Sequence, residues 1–559
     1  MPSTDRHLKS AVLLSVMAIV AIQAGMGLFA TYLNRLFYEK YGPFYDSLAY
    51  FNSIAEMAAI AESEGRAAAL VQTASRSTVF YPWLVFAAFA GKVGLDRSIA
   101  VWIQIFASTW MQLALFTYFY RQHRNAALAV ILSSTFLGIA ALFCFNGGIA
   151  DFRMDLIQYF FYATSMAVYL VARKAEGRFW WAALGVSIGA LCLARATSPI
   201  YLTLVFAVLA PIDIVTARGE ARNVLIGWCL AAAVAMAVAG WFYLTNLTFL
   251  HYYYFVWNLD ANAKLPVTQS AEHIIFMFRN VGWWLIGALA LRSAIIALAA
   301  VNRLGTGELW RINWRALWFG AAPVAYLVLS GAGLNPFVSM LGAAGLVMFL
   351  LEPLASGARA IGRSLELVLL TVVLAGVAIN ATRAVGNHSR DDRVSSWVPC
   401  RDGLIRLTRA IEGQMSTGER RDYRYAVAHV GRVTADTVFN VLAFDTKLPV
   451  RPRATIVYGA ATLSRCYQGV ATPVEWGAHA GSSDDEKIAQ LVELLTSHCD
   501  FFVMSTSDSE LPASTTIHQF IPEINRRLLQ TQAWRQVTEP LSISPTERVI
   551  LLRNSARDR

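Results

Sequence analysis

The sequence predicts an α-helical polytopic membrane protein with about eleven transmembrane helices and a C-terminal α/β domain. Hydrophobic residues make up 56% of the 559 residues and charged residues only 15%, whereas about a quarter of a typical soluble chain is charged. Apolar segments long enough to cross a bilayer recur as far as residue 381, and the composition then becomes polar. We therefore predict a membrane domain, residues 1–381, followed by an α/β domain, residues 382–559.

The composition excludes several other classes of protein. The six cysteines contain no CxxC pair, which excludes a disulfide scaffold and a zinc ribbon. A net charge of +10 would suit a nucleic-acid partner, but the basic residues lie mostly in short loops between apolar segments, as in inner-membrane proteins. We expect no nucleic-acid partner. Residues 11–30 can span a membrane and no small-residue cleavage site follows them, so we expect no cleaved signal peptide.

The membrane domain contains eleven predicted spans. They cover residues 11–31, 98–120, 126–145, 156–173, 179–194, 198–215, 224–247, 282–301, 316–331, 337–354 and 365–381. Arg292 falls in the middle of the eighth span, where an ionisable side chain is costly unless it faces protein or water. We expect either a broken helix there or different boundaries.

Loop charges predict how the spans are oriented. The loops on the same side as the N-terminus contain Arg121 and Arg124, Arg173, Lys174 and Arg178, Arg218 and Arg222, Arg303, Arg311 and Arg315, and Arg359 and Arg363. The short loops on the other side contain Arg153, Arg195, Lys264 and Arg279. This asymmetry predicts a bacterial inner-membrane protein with a cytoplasmic N-terminus and, because the number of spans is odd, a periplasmic C-terminal domain.

The long first outer loop, residues 32–97, contains two further elements. Ser53–Val71 alternates apolar with charged residues, which predicts an amphipathic helix lying along the membrane surface. Val79–Gly91 is apolar but too short to cross the membrane alone, and a full span there would invert every later loop. We therefore predict a re-entrant or surface-lying segment.

The C-terminal domain alternates helical and extended patterns. Helices are predicted at Gly403–Gln414, Asp485–Thr496 and Ile521–Leu529, strands at Ala454–Tyr458 and Phe501–Met504, and a closing hairpin from Trp534–Ile543 and Arg548–Leu552. Cys400, Cys466 and Cys499 lie in this domain, which allows one disulfide and leaves one thiol over.

Charged residues gather where the spans meet the outer surface. Asp46 follows the first span in the segment Tyr-Gly-Pro-Phe-Tyr-Asp, and Asp151, Arg153 and Asp155 precede the fourth span. Two further outer loops contribute the cations Arg195 and Lys264. Asp151 and Asp155 are four residues apart and share one helix face if the helix already begins at Asp151.

Each carboxylate also has a purely structural interpretation. Acidic residues at a helix start are good N-caps, and for Asp151 or Asp155 taken singly this role is the more frequent one. For Asp46, in an aromatic and Gly-Pro context, the two interpretations are equally weighted. The grouping at one depth favours a shared site. We expect Asp46 and at least one of Asp151 and Asp155 to line one cavity, roofed by the helix near 53–71 and open sideways to lipid.

This arrangement resembles the GT-C superfamily of membrane glycosyltransferases, which includes the aminoarabinose transferases of lipid A, the protein O-mannosyltransferases and RgtA/B-like bacterial enzymes. These enzymes have an aspartate early in a long first outer loop and a second acidic residue at the head of the fourth span. Asp46 matches the first feature, and Asp151 and Asp155 match the second. The resemblance covers roughly residues 10–380. The frequent Asp-Glu pair of the family is Asp46-Ser47 here, and Tyr81-Pro82-Trp83 stands where the family has Pro-Pro-Leu.

The resemblance implies transfer of a sugar from a polyprenyl-phosphate donor to a cell-envelope acceptor, a lipid, glycan or protein. Such a transfer needs a base for the acceptor hydroxyl and cations for the departing phosphate. Asp46 is then the base, with Asp155 and Asp151 as further catalytic carboxylates. The donor phosphate would contact cations from the set Arg153, Arg195, Lys264 and Arg76. The three carboxylates could also hold a divalent metal ion.

The lipid tail of the donor would enter from the bilayer between spans. His251–Trp257, a run rich in aromatic residues, is a candidate lining for that entrance. An interfacial aromatic belt is the more frequent role of such a run.

Three other functions remain open at this stage. A flippase or transporter of lipid-linked glycans usually has ionisable residues at mid-membrane and repeated halves, whereas here the charges gather at one face and no repeat is found. An O-antigen polymerase or ligase concentrates arginine and histidine in a large late outer loop. A non-catalytic membrane anchor for the outer domain would not need the acidic cluster.

The predicted topology can be tested by labelling. A cysteine introduced into residues 382–559 should react with a membrane-impermeant thiol reagent in intact spheroplasts, because an odd number of spans places this domain outside. Labelling that appears only after lysis would overturn the topology.

Overall fold

The computed structural model describes most of the chain, and all statements about structure concern the described residues. These are residues 2–43, 45–74, 96–144, 147–174, 177–251, 313–330, 340–351, 363–389, 401–415, 421–428, 433–446, 448–451, 455–459, 461–466, 483–506, 521–545 and 547–557. They form two compact units. The first comprises Met1–Leu33, Thr73–Tyr81 and Ala100–Asn387, and the second Asn34–Gln72, Pro82–Ile99 and His388–Arg559, each as far as it is described.

The described helices are numbered in chain order. They are α1 (Pro2–Tyr41), α2 (Tyr45–Glu64), α3 (Arg66–Ala74), α4 (Ser98–His123), α5 (Ala126–Ser134), α6 (Met154–Ala172), α7 (Arg178–Ala194), α8 (Ser198–Thr216), α9 (Ala221–Thr245), α10 (Leu247–His251), α11 (Trp314–Ser330), α12 (Met340–Leu351), α13 (Arg363–Ser389), α14 (Arg401–Gly413), α15 (Ala435–Asn440), α16 (Asp484–His498) and α17 (Ile521–Gln530). Short 3₁₀ turns cover Thr135–Leu137, Ala140–Phe143, Arg218–Glu220 and Ser555–Arg557, and a π-helical turn covers Val441–Asp445.

Several of these helices are suited to a membrane. Among the described residues, four segments are long and apolar enough to cross one: Ser10–Glu39, Ser198–Thr216, Ala221–Thr245 and Leu370–Ser389. Shorter apolar helices cover Ala126–Leu137, Arg178–Ala194 and Met340–Leu351. The chain is therefore a membrane protein, while the total of about eleven spans stays a prediction.

Where the predicted spans fall on described residues they correspond to helices, with two main differences. The first helix is much longer than the predicted span 11–31 and extends beyond it at both ends. The third predicted span, 126–145, is helical only as far as Ser134 and continues in 3₁₀ turns. The hydroxyls of Ser133, Ser134 and Thr135 donate to backbone carbonyls one turn earlier, an arrangement that slightly destabilises the helix. The segments 79–91 and 282–301, including Arg292, lie outside the described residues.

Helix α6 is buried along its whole length. Every residue of α6 except Phe161 is buried, so its polar side chains must find partners within the protein. The hydroxyl of Tyr159 donates to the carbonyl of Phe136 (3.1 Å), and that of Tyr162 donates to the carbonyl of Phe319 (2.7 Å). These bonds connect α6 to its neighbours in the first unit.

Small residues allow α7 to approach α9 closely. A Cβ atom at Gly185 would lie 2.5 Å from the carbonyl oxygen of Ala231, and one at Gly189 would lie 2.6 Å from Cβ of Val238. Gly185 and Gly189 form a GxxxG pair, a pattern that lets membrane helices pack with their backbones close together. On the same interface Trp181 packs over Gly227.

The C-terminal part of the second unit contains an eight-stranded sheet. Its strands are β1 (Asp422–Val427), β2 (Val450–Arg451), β3 (Thr455–Tyr458), β4 (Ala461–Arg465), β5 (Phe501–Ser505), β6 (Trp534–Gln536), β7 (Leu541–Ser542) and β8 (Arg548–Asn554). The order is β2-β3-β4-β1-β5-β8-β6, with β7 paired to β8. The pairs β4-β1 and β1-β5 are parallel, and the remaining pairs are antiparallel.

Helices cover both faces of this sheet. On one face Ala426, Phe502 and Leu552 pack in a core with residues of α16 and α17. Tyr425 points to the opposite face, because successive strand residues alternate. Its hydroxyl donates to the carbonyl of Ala435 at the start of α15 (3.0 Å), and burial raises the pKa of this phenol above its usual value.

The C-terminal elements predicted from the sequence are present in the structure. The three predicted helices, the two predicted strands and the closing hairpin are all present, with boundaries shifted by a few residues. The sequence analysis missed the central strand β1 and its neighbour β4, because β1 begins with the charged alternation Asp-Tyr-Arg-Tyr, typical of a surface segment. A disulfide joins Cys466, after β4, to Cys499, before β5. Cys400 lies outside the described residues.

The close contact between α7 and α9 generates a stability prediction. Gly189→Leu should lower the free energy of unfolding by about 2 kcal/mol or more, because the new side chain must push Val238 away. Thermal unfolding of the detergent-solubilised protein measures this. Val186→Leu, at an exposed position on the same helix, is the matched control and should change little. Equal stability of the two variants would contradict the described contact.

Candidate functional site

The site is built around the amino end of α6. The helix begins at Met154, and its N-cap residue is Arg153, whose side chain makes no capping hydrogen bond. Asp155 lies in the first turn, where a negative charge interacts favourably with the helix dipole. Asp151 lies before the start of the helix. Asp151 and Asp155 therefore do not share a helix face, which would have required the helix to begin at Asp151. Asp151 is also not the N-cap.

Asp151 closes the turn that leads into α6. Its carboxylate, which is buried, accepts a hydrogen bond from the backbone nitrogen of Gly147 (2.7 Å). Gly147 has a φ of +78°, a conformation that favours glycine. A Cβ atom on Gly148 would collide with the carbonyl oxygen of Cys144. The two glycines therefore make possible the tight turn that carries Asp151.

Helix α4 holds this turn from a second side. The side-chain nitrogen of Gln104 donates to the backbone carbonyl of Asp151 at 2.5 Å, and both residues are buried. Because this bond is made to the backbone, it fixes the position of the turn and leaves the Asp151 carboxylate oriented by Gly147.

The connection between α7 and α8 is joined to the amino end of α6 by two contacts. Arg195, in this connection, forms a salt bridge with Asp155, whose side chain is only 7% exposed. One turn further along α6, the side-chain nitrogen of Gln158 donates to the hydroxyl of Ser198 (2.9 Å), and both are buried. Tyr243 of α9 donates to the carbonyl of Cys192 (2.9 Å) near the end of α7. The α7–α8 connection is thus held on two sides.

The arrangement brings four of the predicted residues to one end of the helical unit. Asp151, Arg153 and Asp155 lie within five consecutive positions, and Arg195 contacts Asp155 directly. Arginine can contact phosphate through two parallel hydrogen bonds. To do so, Arg195 would have to exchange at least part of its contact with Asp155 for the ligand.

Other predicted residues lie outside the described part of the chain. Arg76 and Lys264 are not described, and of His251–Trp257 only His251, the last residue of α10, is described. Asp46 is the second residue of α2, and only its backbone is described. The predicted shared cavity of Asp46 with Asp151 or Asp155 therefore stays a prediction.

Within the described residues, no group of three or more His, Cys, Asp or Glu side chains is placed to hold a metal ion. The carboxylates of Asp151 and Asp155 are already engaged by Gly147 and Arg195. The divalent metal stays a prediction, and no reaction step below depends on it.

A third buried carboxylate of the helical unit, Asp213 in the last turn of α8, was not predicted from the sequence. It accepts a hydrogen bond from Tyr169 of α6 (2.6 Å) and contacts Arg173 (2.8 Å) and Arg315 (2.9 Å). Its side chain is 2% exposed. A lone aspartate within an apolar span was the available signal, since such residues almost always pair inside the protein. This cluster joins α6, α8 and α11.

The fold is similar to that of ArnT, seen in two solved structures. ArnT from Cupriavidus metallidurans bound to undecaprenyl phosphate matches with a TM-score of 0.57 and 13% identity, over 95% of this chain and 97% of ArnT. Its apo state matches with a TM-score of 0.56 and 13% identity, over 97% and 98%. An oligosaccharyltransferase from Archaeoglobus fulgidus gives a TM-score of 0.46 and 10% identity, over 86% of this chain and 69% of its own. No protein-family model and no curated protein matches the sequence.

The Asp155–Arg195 salt bridge generates a second stability prediction. Arg195→Ala should lower the free energy of unfolding by about 3 kcal/mol, because it leaves the buried Asp155 carboxylate without its cation. Adding Asp155→Asn should recover part of this loss, since the unpaired charge is then removed. Thermal unfolding of the single and double variants gives the coupling energy.

Arg178→Ala provides the control for this cycle. Arg178 is exposed at the other end of α7, and its truncation should change stability by less than about 0.5 kcal/mol. Strictly additive losses in the double variant would show that Asp155 and Arg195 do not interact.

Proposed function

We propose that this protein is a glycosyltransferase that moves a sugar from a polyprenyl-phosphate donor to an acceptor hydroxyl of the cell envelope. The reaction would take place at the outer face of the bacterial inner membrane. The observation that carries the proposal is the fold shared with ArnT along nearly the whole of both chains. One of the two ArnT structures is bound to undecaprenyl phosphate, which supports a donor lipid of the same class.

The proposed reaction needs one base and at least one cation. Asp46 would accept the proton of the acceptor hydroxyl, whose oxygen then forms a bond to the anomeric carbon of the sugar. The bond between that carbon and the phosphate oxygen breaks, and polyprenyl phosphate leaves with the electron pair. Cations stabilise the charge that develops on the leaving phosphate. Arg153 and Arg195, with Lys264 and Arg76, are the proposed cations, and Asp151 and Asp155 would orient them.

The distribution of buried charge in the helical unit supports this chemistry over transport. The described carboxylates Asp151, Asp155 and Asp213 lie before a helix, in its first turn and in a last turn. A transporter would usually concentrate ionisable residues at mid-membrane, in interrupted helices. Charges at helix ends instead suit a reaction at the membrane boundary.

The role of Asp46 can be tested by a nearly isosteric substitution. Asp46→Asn removes the proton acceptor, so transfer should fall by about 10²–10⁴-fold. Thermal stability and binding of undecaprenyl phosphate should remain close to wild type. Transfer is measured with the solubilised protein and a radiolabelled lipid extract of the producing cells, which supplies both donor and acceptor. Binding is measured as the thermal shift with undecaprenyl phosphate, against undecaprenol as the ligand without phosphate.

Glu64→Gln is the matched control for this substitution. Glu64 is an exposed carboxylate at the opposite end of α2, where it accepts a hydrogen bond from Gln72. Its variant should transfer at the wild-type rate. A small loss of transfer in Asp46→Asn, accompanied by lower stability, would show that Asp46 is a structural residue. Equal thermal shifts with undecaprenyl phosphate and undecaprenol would argue against the proposed donor.

A further inference from the structure

Helix α2 of the first outer loop packs against the C-terminal domain. Phe51 is buried and meets Phe444 edge-on, with ring centroids 5.5 Å apart, and meets Tyr38 of α1 at 5.6 Å. On the same helix Ile54, Ala55 and Met57 are buried. These apolar residues are part of the segment expected to lie on the membrane surface. In the described structure α2 packs against α15 and β2, so protein covers part of its apolar face.

A directional chain of hydrogen bonds runs through this contact. Arg97 donates to the side-chain oxygen of Asn440 (2.5 Å), and Asn440 donates to the side-chain oxygen of Asn52 in α2 (2.9 Å). Asn52 in turn donates to the carbonyl of Asp436 (3.0 Å). Arg97, Asn440 and Asn52 are all buried. Because Asn440 and Asn52 each accept one hydrogen bond and donate the next, the chain favours one position of α2.

A salt bridge fixes the other end of the first outer loop. The guanidinium of Arg97, immediately before α4, contacts both carboxylate oxygens of Asp445 (2.9 and 2.7 Å) and lies over the ring of Phe444. Arg401 contacts the same carboxylate at 2.9 Å. Bidentate contact between arginine and a carboxylate gives geometric specificity as well as energy. The C-terminal domain therefore holds the loop both at α2 and immediately before α4.

A further ion pair lies at the edge of the contact. Arg465, the last residue of β4, contacts Glu56 of α2 at 2.8 Å and also contacts Asp436. Glu56 is partly exposed, so this pair contributes less than the buried chain.

These contacts lie where an open α/β sheet normally binds its ligand. In such sheets the ligand crevice is outside the carboxyl ends of the parallel strands, where connections leave on opposite sides. Here β4, β1 and β5 are the parallel strands. Helix α2 contacts Arg465, which lies at the carboxyl end of β4. It also contacts Asp436 in α15, the helix that follows β1. A helix from the same chain thus lies at this edge of the sheet.

We propose that the C-terminal domain is a positioning domain that fixes α2, and with it Asp46, for the transfer reaction. Asn52, Arg97, Asn440 and Asp445 are its positioning residues. This inference rests on the proposed role of Asp46. Asn52 lies six residues after Asp46 in one helix, about 9 Å along its axis, so displacement at Asn52 moves the helix start. A misplacement of about 1 Å at a reacting group can reduce the rate about 10²-fold.

The test compares Asn52→Ala and Asn440→Ala with the wild-type full chain. Each variant should increase hydrogen exchange of the backbone amides of α2 at least tenfold, while exchange of α16 and α17 stays unchanged. The kcat of transfer should fall at least tenfold, with little change in KM for the donor in the lipid extract. Because both variants break the same bond, the double variant should lose less than the product of the single losses.

Two further variants separate positioning from general damage. Glu56→Gln alters only the partly exposed ion pair and should produce smaller changes in the same direction, in a chain that folds normally. Ser63→Ala removes a hydroxyl that donates to the carbonyls of Ala59 and Ile60 within α2, and should change neither exchange nor kcat.

The outcomes distinguish this proposal from the proposed function. Unchanged exchange of α2 in Asn52→Ala would overturn the anchoring role of the domain. Faster exchange of α2 with an unchanged kcat would overturn positioning while leaving the proposed function intact. If the wild-type protein itself transferred no sugar, the proposed function would fail, and the exchange measurements would still decide whether the C-terminal domain holds α2.

Discussion

The burial of α6 is the constraint on which the helical unit depends. A helix buried along nearly its whole length cannot leave a polar group to water, so both of its ends are neutralised by protein. At the amino end Asp155 pairs with Arg195, and near the carboxyl end Tyr169 and Arg173 meet the carboxylate of Asp213. Asp155 in the first turn of α6 and Arg173 at its carboxyl end lie where the dipole of this helix favours their charges. The pairings also join α6 to the α7–α8 connection and to α8, so the helices around α6 are fixed by electrostatic contacts as well as packing.

The same constraint links structure to the proposed chemistry. The salt bridge that neutralises the start of α6 contains an arginine, Arg195, that could also contact a phosphate. A carboxylate beside the arginine keeps the cation oriented before a ligand arrives and leaves no buried charge unpaired. The proposed site therefore needs no separate set of residues for stability and for binding. In the second unit Asp445 plays a comparable part, because it neutralises both Arg97 and Arg401 while it holds the segment immediately before α4.

Sequence patterns predicted the local elements well because local physics determines them. Apolar runs of sufficient length gave the helices α7, α8 and α9 within a few residues, and short continuous apolar runs gave β5 and β8. The predictions failed where a local pattern was ambiguous. The strand β1 begins with charged residues, and the apolar segment after α5 was predicted to continue the span although it forms 3₁₀ turns. Asp213 went unnoticed because a single carboxylate changes the hydropathy of a span very little.

By itself the sequence determined the membrane class, the polar C-terminal domain and the positions of the candidate charges, since these follow from composition and periodicity. Only the tertiary structure decided the partners of those charges. Nothing local selects Arg195 for Asp155, forty residues away, or Asn440 for Asn52, nearly four hundred residues away. These pairs form because folding buries the residues, and a buried charge or amide must be satisfied by whichever group the packing brings beside it. The same packing, absent from any local pattern, gives the C-terminal domain its contact with α2.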